Sequence, residues 1–225
     1  MEMRRSKWAY FFLAASAAIF LYFLYAVQSG EILSFDRYLS SFFTGIFTEG
    51  SYPYFEFMDS LGNKVGVGIV TLFFIVWLWV KHRDYAAMAA LVFAVAIGNE
   101  ANKWLKDAIG RPRPDEEHLV NVASLSFPSG HAMIGMILYT FIGFIIIKEL
   151  KSAKAKWITG IMAGIWIFLM GISRVIMKVH YPSDIAAGFA AGFIWVFLSI
   201  ILYEALRAMF TKKAYEKRLS LMIVS

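Results

Sequence analysis

The chain has 225 residues, no cysteine and a formal net charge of +6, and 60% of it is hydrophobic and 17% aromatic. A soluble domain is usually about 45–50% apolar, so this composition excludes an ordinary soluble globule and points to a polytopic membrane protein with interfacial aromatics. Without cysteine there is neither a disulfide framework nor a thiolate metal site, and the positive charge flanks apolar runs instead of forming the patch a nucleic-acid partner needs.

A helix needs roughly 20 apolar residues to cross a bilayer. Residues 8–27 supply such a run without a charge, preceded by Arg4, Arg5 and Lys7. The run is too long for a signal-peptide core and no small-residue cleavage site follows, which predicts a retained signal anchor. Residues 31–49 are too polar to cross. There Ile32, Phe35, Leu39, Phe42 and Ile46 recur at helical spacing, with Asp36, Arg37, Ser40 and Thr44 on the other faces. This predicts an amphipathic helix in the interface, serving either as a lip that guides a lipid or as a plain connector.

The second run, 65–80, is short alone and is expected to extend back through 54–61. The third, 85–105, is interrupted by Asn99, Glu100 and Lys103; a carboxylate there is costly, and Glu100 is expected to pair with Lys103, Lys106 or a nearby arginine. Runs 131–147, 157–172 and 185–203 complete six spans. Gly160 with Gly164, and Gly188 with Gly192, predict close helix packing. No repeat or low-complexity tract appears, so residues 1–225 read as one membrane-embedded domain. The predicted fold class is all-α: an integral-membrane bundle of six transmembrane helices plus an interfacial helix between spans 1 and 2.

Positive loops remain cytoplasmic. With both termini inside, Arg4, Arg5, Lys7, Lys81, Arg83, Lys148, Lys151, Lys154, Lys156, Arg207, Lys212, Lys213, Lys217 and Arg218 face the cytoplasm. These are 14 of the 22 basic residues, against five acids (Glu2, Asp84, Glu149, Glu204, Glu216). The expected localisation is the cell membrane, with the chemistry-bearing segments on the extracytoplasmic side.

Three such segments lie at the edges of apolar runs: Lys106 to Arg113-Pro114, Pro128-Ser129-Gly130-His131, and Ser173-Arg174 with His180 and Asp184 behind. Phosphoryl transfer is mainly positioning and charge neutralisation, and arginine forks match phosphate oxygens. Arg113 and Arg174 are candidate forks and Lys106 a point charge, while Arg111 reads as a snorkelling or rim residue. Prolines on either side of Arg113 stiffen its backbone. Ser129 is a helix N-cap, so free N–H groups of Ser129, Gly130 and His131 are expected to cradle an anion, with Gly130 admitting close approach.

Of four histidines, His82 falls on the cytoplasmic side and His118 lies in the acidic stretch Asp115-Glu116-Glu117. His131 and His180 remain. A neutral imidazole oriented by a carboxylate is a competent nucleophile, which assigns attack to His180 with Asp184 four residues on. His131 is then the general acid, charging when phosphate binds. No metal-ligand spacing or P-loop signature occurs, and no cofactor or obligate protein partner is expected.

In order and spacing these segments resemble the K-x6-RP, PSGH and SR-x5-H-x3-D signature of the type 2 phosphatidic acid phosphatase superfamily of integral-membrane lipid phosphatases. The signature touches residues 106–184, and the six-span layout extends the likeness over most of the chain. The resemblance implies metal-independent phosphate-ester hydrolysis through a phosphohistidine on His180, with His131 as acid. Lys106, Arg113, Ser129, Gly130, His131 and Arg174 then line the phosphate pocket. The size is similar to bacterial members that act on phosphatidylglycerophosphate or undecaprenyl diphosphate at the outer leaflet. The leading expectation is hydrolysis of phosphatidylglycerophosphate, with phosphatidic acid next and undecaprenyl diphosphate as the alternative. A transporter of a phosphorylated lipid or anion is the rival of another class, disfavoured by charges clustered at one surface and by the lack of repeated halves.

Overall fold

The computed structural model describes residues 6–47, 49–115, 118–120 and 122–224, with the backbone alone for 213–224. Among these residues all regular structure is helical: α1 Lys7–Val27, α2 Ser34–Ile46, α3 Tyr52–Gly62, α4 Lys64–Trp77 with a π-helical continuation Leu78–His82, α5 Tyr85–Ile109, α6 Gly130–Glu149, α7 Ala153–Ile176 and α8 Pro182–Val224. Six of them are long and apolar enough to cross a membrane: α1, α4 with its continuation, α5, α6, α7 and α8 as far as Lys212. The chain is a multi-pass, all-α membrane protein.

Local chemistry sets the helix limits. Asp84 accepts the Ala87 N–H at 3.0 Å to open α5, and Ser129 and Ser152 accept N–H groups at the starts of α6 and α7. The α5 helix ends at Gly110, whose φ of 71° is the left-handed conformation that glycine adopts without a Cβ penalty. That reversal launches the long connection from Arg111 to Ser129.

One boundary differs from the sequence expectation. The second span does not run back through 54–61, because Asn63 is extended and its side chain accepts the N–H groups of Val65 and Gly66, both at 2.9 Å. Such a cap starts a new helix, so 54–61 belongs to α3, which docks on α7. The amphipathic α2 keeps Phe35, Phe42 and Ile46 exposed, as a helix at an apolar interface would. Its Asp36, assigned above to a polar outer face, instead turns inward and is 1% exposed.

Leu91 and Ala94 of α5, Ile137, Leu138 and Phe141 of α6, and Val196 and Tyr203 of α8 share one buried cluster. Lipid tails are as apolar as these side chains, so helix association depends on close packing more than on expulsion from water. At Gly188 an added Cβ would fall 2.8 Å from both the Ala132 Cβ and the Ser129 carbonyl oxygen; Gly192 is similarly pressed against Met133 and Met136. The expected role of Gly188 and Gly192 holds, with α6 as partner. Gly164 has open space around it and Gly160 only grazes Ile147, so that pair does not mediate close packing within the chain.

Glu100 forms an exposed pair with Lys103 at 2.6 Å, one turn along α5. His82 sits against the Trp77 ring, and His118 bonds the Pro114 carbonyl at 3.0 Å. Lys7, Lys81, Arg83, Lys148, Lys151, Lys154, Lys156, Arg207 and Lys212 lie at the end of the bundle opposite the three segments. Glu2, Arg4, Arg5, Glu116 and Glu117, and the side chains of Lys213, Glu216, Lys217 and Arg218, lie outside the described residues.

These contacts make Gly188→Ala and Gly164→Ala an informative pair. The first pushes the start of α6 away from α8 and lowers the melting temperature in detergent by several degrees; the second leaves it within a degree or so. Equal melting temperatures for the two variants would show that the α6–α8 contact is not the tight one.

Candidate active site

All three sequence segments meet at one end of the bundle. Gly98, Asn102 and Lys106 recur at four-residue intervals on the buried face of α5. Asn102 donates to the Pro128 carbonyl at 3.2 Å, tethering the connection just before α6. Lys106 donates to the carbonyls of Leu125 and Ser126. Arg113 donates from Nε to the Ser124 carbonyl and from Nη1 to the Val179 carbonyl, each at 2.6 Å. Backbone acceptors therefore aim two cations without neutralising them.

The end of α7 sets the third segment. The Arg174 carbonyl accepts the N–H groups of Val179 and His180, at 3.1 and 3.3 Å, folding the chain back so that His180 lies beside the arginine six residues earlier. His180 Nε2 is 3.2 Å from Arg113 Nη1, and its Nδ1 is 3.3 Å from Asp184 Oδ2. With the proton on Nδ1, the ring donates to the carboxylate and Nε2 keeps a lone pair on the side of the cations. Asp184 Oδ2 also accepts from Ser126 Oγ at 2.5 Å and from the Tyr181 N–H at 2.9 Å. Burial, and then the charges of Arg113, Lys106 and Arg174, push the His180 imidazole well below its ordinary value of 6.5. The ring is neutral at neutral pH.

Arg111 overturns its sequence assignment. It is neither snorkelling nor a rim contact: it is buried, donating to Asp184 Oδ1 at 2.6 Å, Ser183 Oγ at 2.8 Å and Asp36 Oδ2 at 2.8 Å, with Tyr181 stacked 4.1 Å away. Burial opposes its charge, but Asp184 and Asp36 outweigh that and raise its pKa. Asp36 also accepts the Ser183 N–H at 2.7 Å, capping α8 from a helix almost 150 positions away in sequence. The cap of α8 thus comes from another helix, with Asp36 as the acceptor.

Ser129 differs too. Its N–H is engaged by the Asp184 carbonyl at 3.0 Å, so it is not a free donor for an anion. Lys106, Arg113, Gly130, His131, Arg174 and His180 line one cavity of about 820 Å³, whereas Ser129 and Asp184 stand behind its wall. The cavity continues between α4 and α5 past Val67, Gly68, Val95 and Ala96. Burial lowers the Arg113 pKa, an effect Asp184 opposes. The described cluster can neutralise an oxyanion, present a neutral imidazole nitrogen to it, and hold a second imidazole alongside.

Sequence reasoning missed Asp36, Asp59, Asn102, Arg111 and Ser126. Asn102 had a signal in its four-residue spacing from Lys106. Asp59 pairs with Arg174 and lies 3.1 Å from His131 Nε2, but nothing around it in the chain marks that role.

Replacing Arg111 by Met leaves two buried carboxylates without their cation, a change that typically costs about 3–5 kcal/mol. The Arg111→Met chain is expected to unfold at markedly lower temperature than Lys103→Met, which removes only an exposed pair. Indistinguishable unfolding of the two variants would contradict the clamp.

Comparison with known proteins identifies the family. A model described as the PAP2 superfamily matches residues 87–208. Phosphatidylglycerophosphatase B of Bacillus subtilis is 33% identical over 176 residues, covering 77% of this chain and 79% of that protein. A lipid A 1-phosphatase of Rhizobium johnstonii is 32% identical over 125 residues, covering 51% of this chain and 47% of its own length. The crystal structure of a transmembrane PAP2-type phosphatidylglycerolphosphate phosphatase from Bacillus subtilis superposes with a TM-score of 0.78 at 27% identity, spanning 86% of this chain and 96% of that one. Six apolar helices, a polycationic cavity with two imidazoles, and these likenesses together make the chain a member of the PAP2 superfamily and a membrane lipid phosphatase.

Proposed function

We propose that the chain hydrolyses the phosphate monoester of phosphatidylglycerophosphate, releasing phosphatidylglycerol, at the outer face of the membrane and by way of a phosphohistidine on His180. One observation carries the chemistry: His180 turns Nδ1 to Asp184 and Nε2 to the cation-lined cavity. In the first step Nε2 bonds to phosphorus as the ester P–O bond breaks, and His131 gives a proton to the departing alcohol oxygen. In the second, water attacks the phosphohistidine, His131 takes the water proton, and the P–N bond breaks to restore His180 and free phosphate. Lys106, Arg113 and Arg174 neutralise the equatorial oxygens, which carry the charge of the transition state. Gly130 lets phosphate approach the start of α6, Asp184 orients His180, and Ser129 supports that helix start from behind the wall.

The apolar stretch between α4 and α5 supports a lipid as the bearer of the phosphate, since acyl chains can lie there while the headgroup reaches the imidazoles. The likeness to the Bacillus subtilis enzyme supports phosphatidylglycerophosphate, with phosphatidic acid as a smaller relative of the same chemistry. Undecaprenyl diphosphate is the second reading, favoured by a cavity whose volume of about 820 Å³ exceeds what one phosphate group fills. The bias of basic residues to the opposite end supports cytoplasmic termini and an extracytoplasmic site.

Phosphate release from phosphatidylglycerophosphate, phosphatidic acid and undecaprenyl diphosphate tests the reading. The expected result is the highest kcat/KM for the first, no effect of EDTA, and a loss on the order of 10³-fold or more in His180→Ala. Loss of activity with EDTA, or survival of the His180→Ala enzyme, would refute the mechanism; preference for the diphosphate would replace the substrate. The depressed His180 pKa gives a further expectation. The nucleophile stays neutral as pH falls through 6.5, so the acid limb of kcat/KM, corrected for ionisation of the substrate, lies below that value. Between 6.5 and the lower folded value the unfolded chain binds the extra proton, so this residue's contribution to stability declines as pH falls across that window. An acid limb at or above 6.5 contradicts the assignment.

A further inference from the structure

Asp59 belongs to none of the three signature segments, yet it touches residues from two of them. It lies in the last turn of α3, the helix that docks on α7, and its Oδ1 contacts Arg174 Nη1 and His131 Nε2, the latter at 3.1 Å. The Asp59 backbone carbonyl is also 3.2 Å from the same Nε2. One turn on, Gly62 packs directly against the His131 ring, where a Cβ would not fit. The imidazole is thus seated against the end of α3 by one of its nitrogens.

A carbonyl oxygen can only accept, so Nε2 carries a hydrogen and Nδ1 is the nitrogen left to exchange a proton. Around this ring stand Lys106 of α5, Arg113 of the connection, Arg174 of α7 and His180. Three of these are cations, and among the described residues Asp59 supplies the carboxylate at contact distance. Its charge therefore opposes theirs just where a general acid must hold a second proton.

On the phosphatase reading above, we propose that Asp59 is a positioning residue for His131: its backbone carbonyl holds Nε2–H toward α3 and its carboxylate stabilises the imidazolium, so that Nδ1–H protonates the leaving alcohol. The proton passes from Nδ1 to the ester oxygen as that P–O bond breaks, and Nδ1 recovers a proton from the water that later attacks phosphorus. Each imidazole then has its own carboxylate, Asp184 for the nucleophile and Asp59 for the acid. The contact with Arg174 keeps the phosphate fork in register with the acid.

Leaving-group dependence separates this role from a merely structural one. An alkoxide from a lipid glycerol needs a proton to depart, whereas the phenolate of p-nitrophenyl phosphate departs without one. In the full chain, Asp59→Asn is expected to lower kcat on phosphatidic acid on the order of 10- to 100-fold but on p-nitrophenyl phosphate by less than about threefold. The basic limb of the lipid kcat profile moves to lower pH, and Asp59→Glu restores part of the selectivity. In an His131→Ala background, Asp59→Asn produces no further change in the ratio of the two rates. Equal losses on both substrates would reduce Asp59 to a folding or Arg174-holding role and overturn the proposal. A rise in kcat/KM would overturn it differently, marking Asp59 as a competitor for the phosphate site. If Asp59→Asn does not fold, a wild-type ratio in Asp59→Glu overturns it, and a ratio shifted toward the activated ester supports it. A wild-type enzyme inert on these esters and on phosphatidylglycerophosphate and undecaprenyl diphosphate as well refutes the phosphatase reading itself.

Discussion

The buried guanidinium of Arg111 holds the site together. It joins a carboxylate from the interfacial α2, a carboxylate and a hydroxyl from the start of α8, and the connection between α5 and α6 in which it lies. Taking such charges out of water is costly, and only near-ideal pairing makes it tolerable. The return is geometric. Asp184 is gripped from one side by Arg111 and from the other by Ser126 and the Tyr181 N–H, so the imidazole it orients has little freedom. On the proposed mechanism, a nucleophile held in this way meets phosphate with its reorganisation already complete.

Around that clamp the cavity concentrates like charge. Lys106 and Arg113 are fixed by the carbonyls of Ser124, Leu125, Ser126 and Val179, which direct cations without cancelling them. The uncompensated charge suits an oxyanion and depresses the affinity of His180 for protons, so in the proposed mechanism one arrangement both attracts the substrate and keeps the nucleophile neutral. The apolar continuation between α4 and α5 fits the same logic for a lipid whose headgroup alone is polar. Family membership and the likeness to a phosphatidylglycerophosphatase give this geometry its chemical context.

Much of this is legible in the sequence, for physical reasons that differ by element. The spans follow from run length because the bilayer imposes a minimum, and Lys106, Arg113, His131, Arg174 and His180 stand at span edges where charge is otherwise costly. What stayed hidden depends on partners far away in the chain. Arg111 looks like any interfacial cation until Asp36 arrives from 75 positions away, and Asp36 looks like a solvated residue until α2 folds over the start of α8. Asp59 gives no local sign of its contact with His131 72 positions away. The break at Asn63 was obscured because apolar runs on both sides mask a cap that costs a single polar residue.

The most direct test of convergence is a crystal structure with orthovanadate, a mimic of phosphorus in transfer. The account predicts vanadium bonded to His180 Nε2, its equatorial oxygens on Lys106, Arg113 and Arg174, and its apical oxygen toward His131. Vanadate bound away from His180, for example among Arg83, Lys148 and Arg207 at the opposite end, would contradict it.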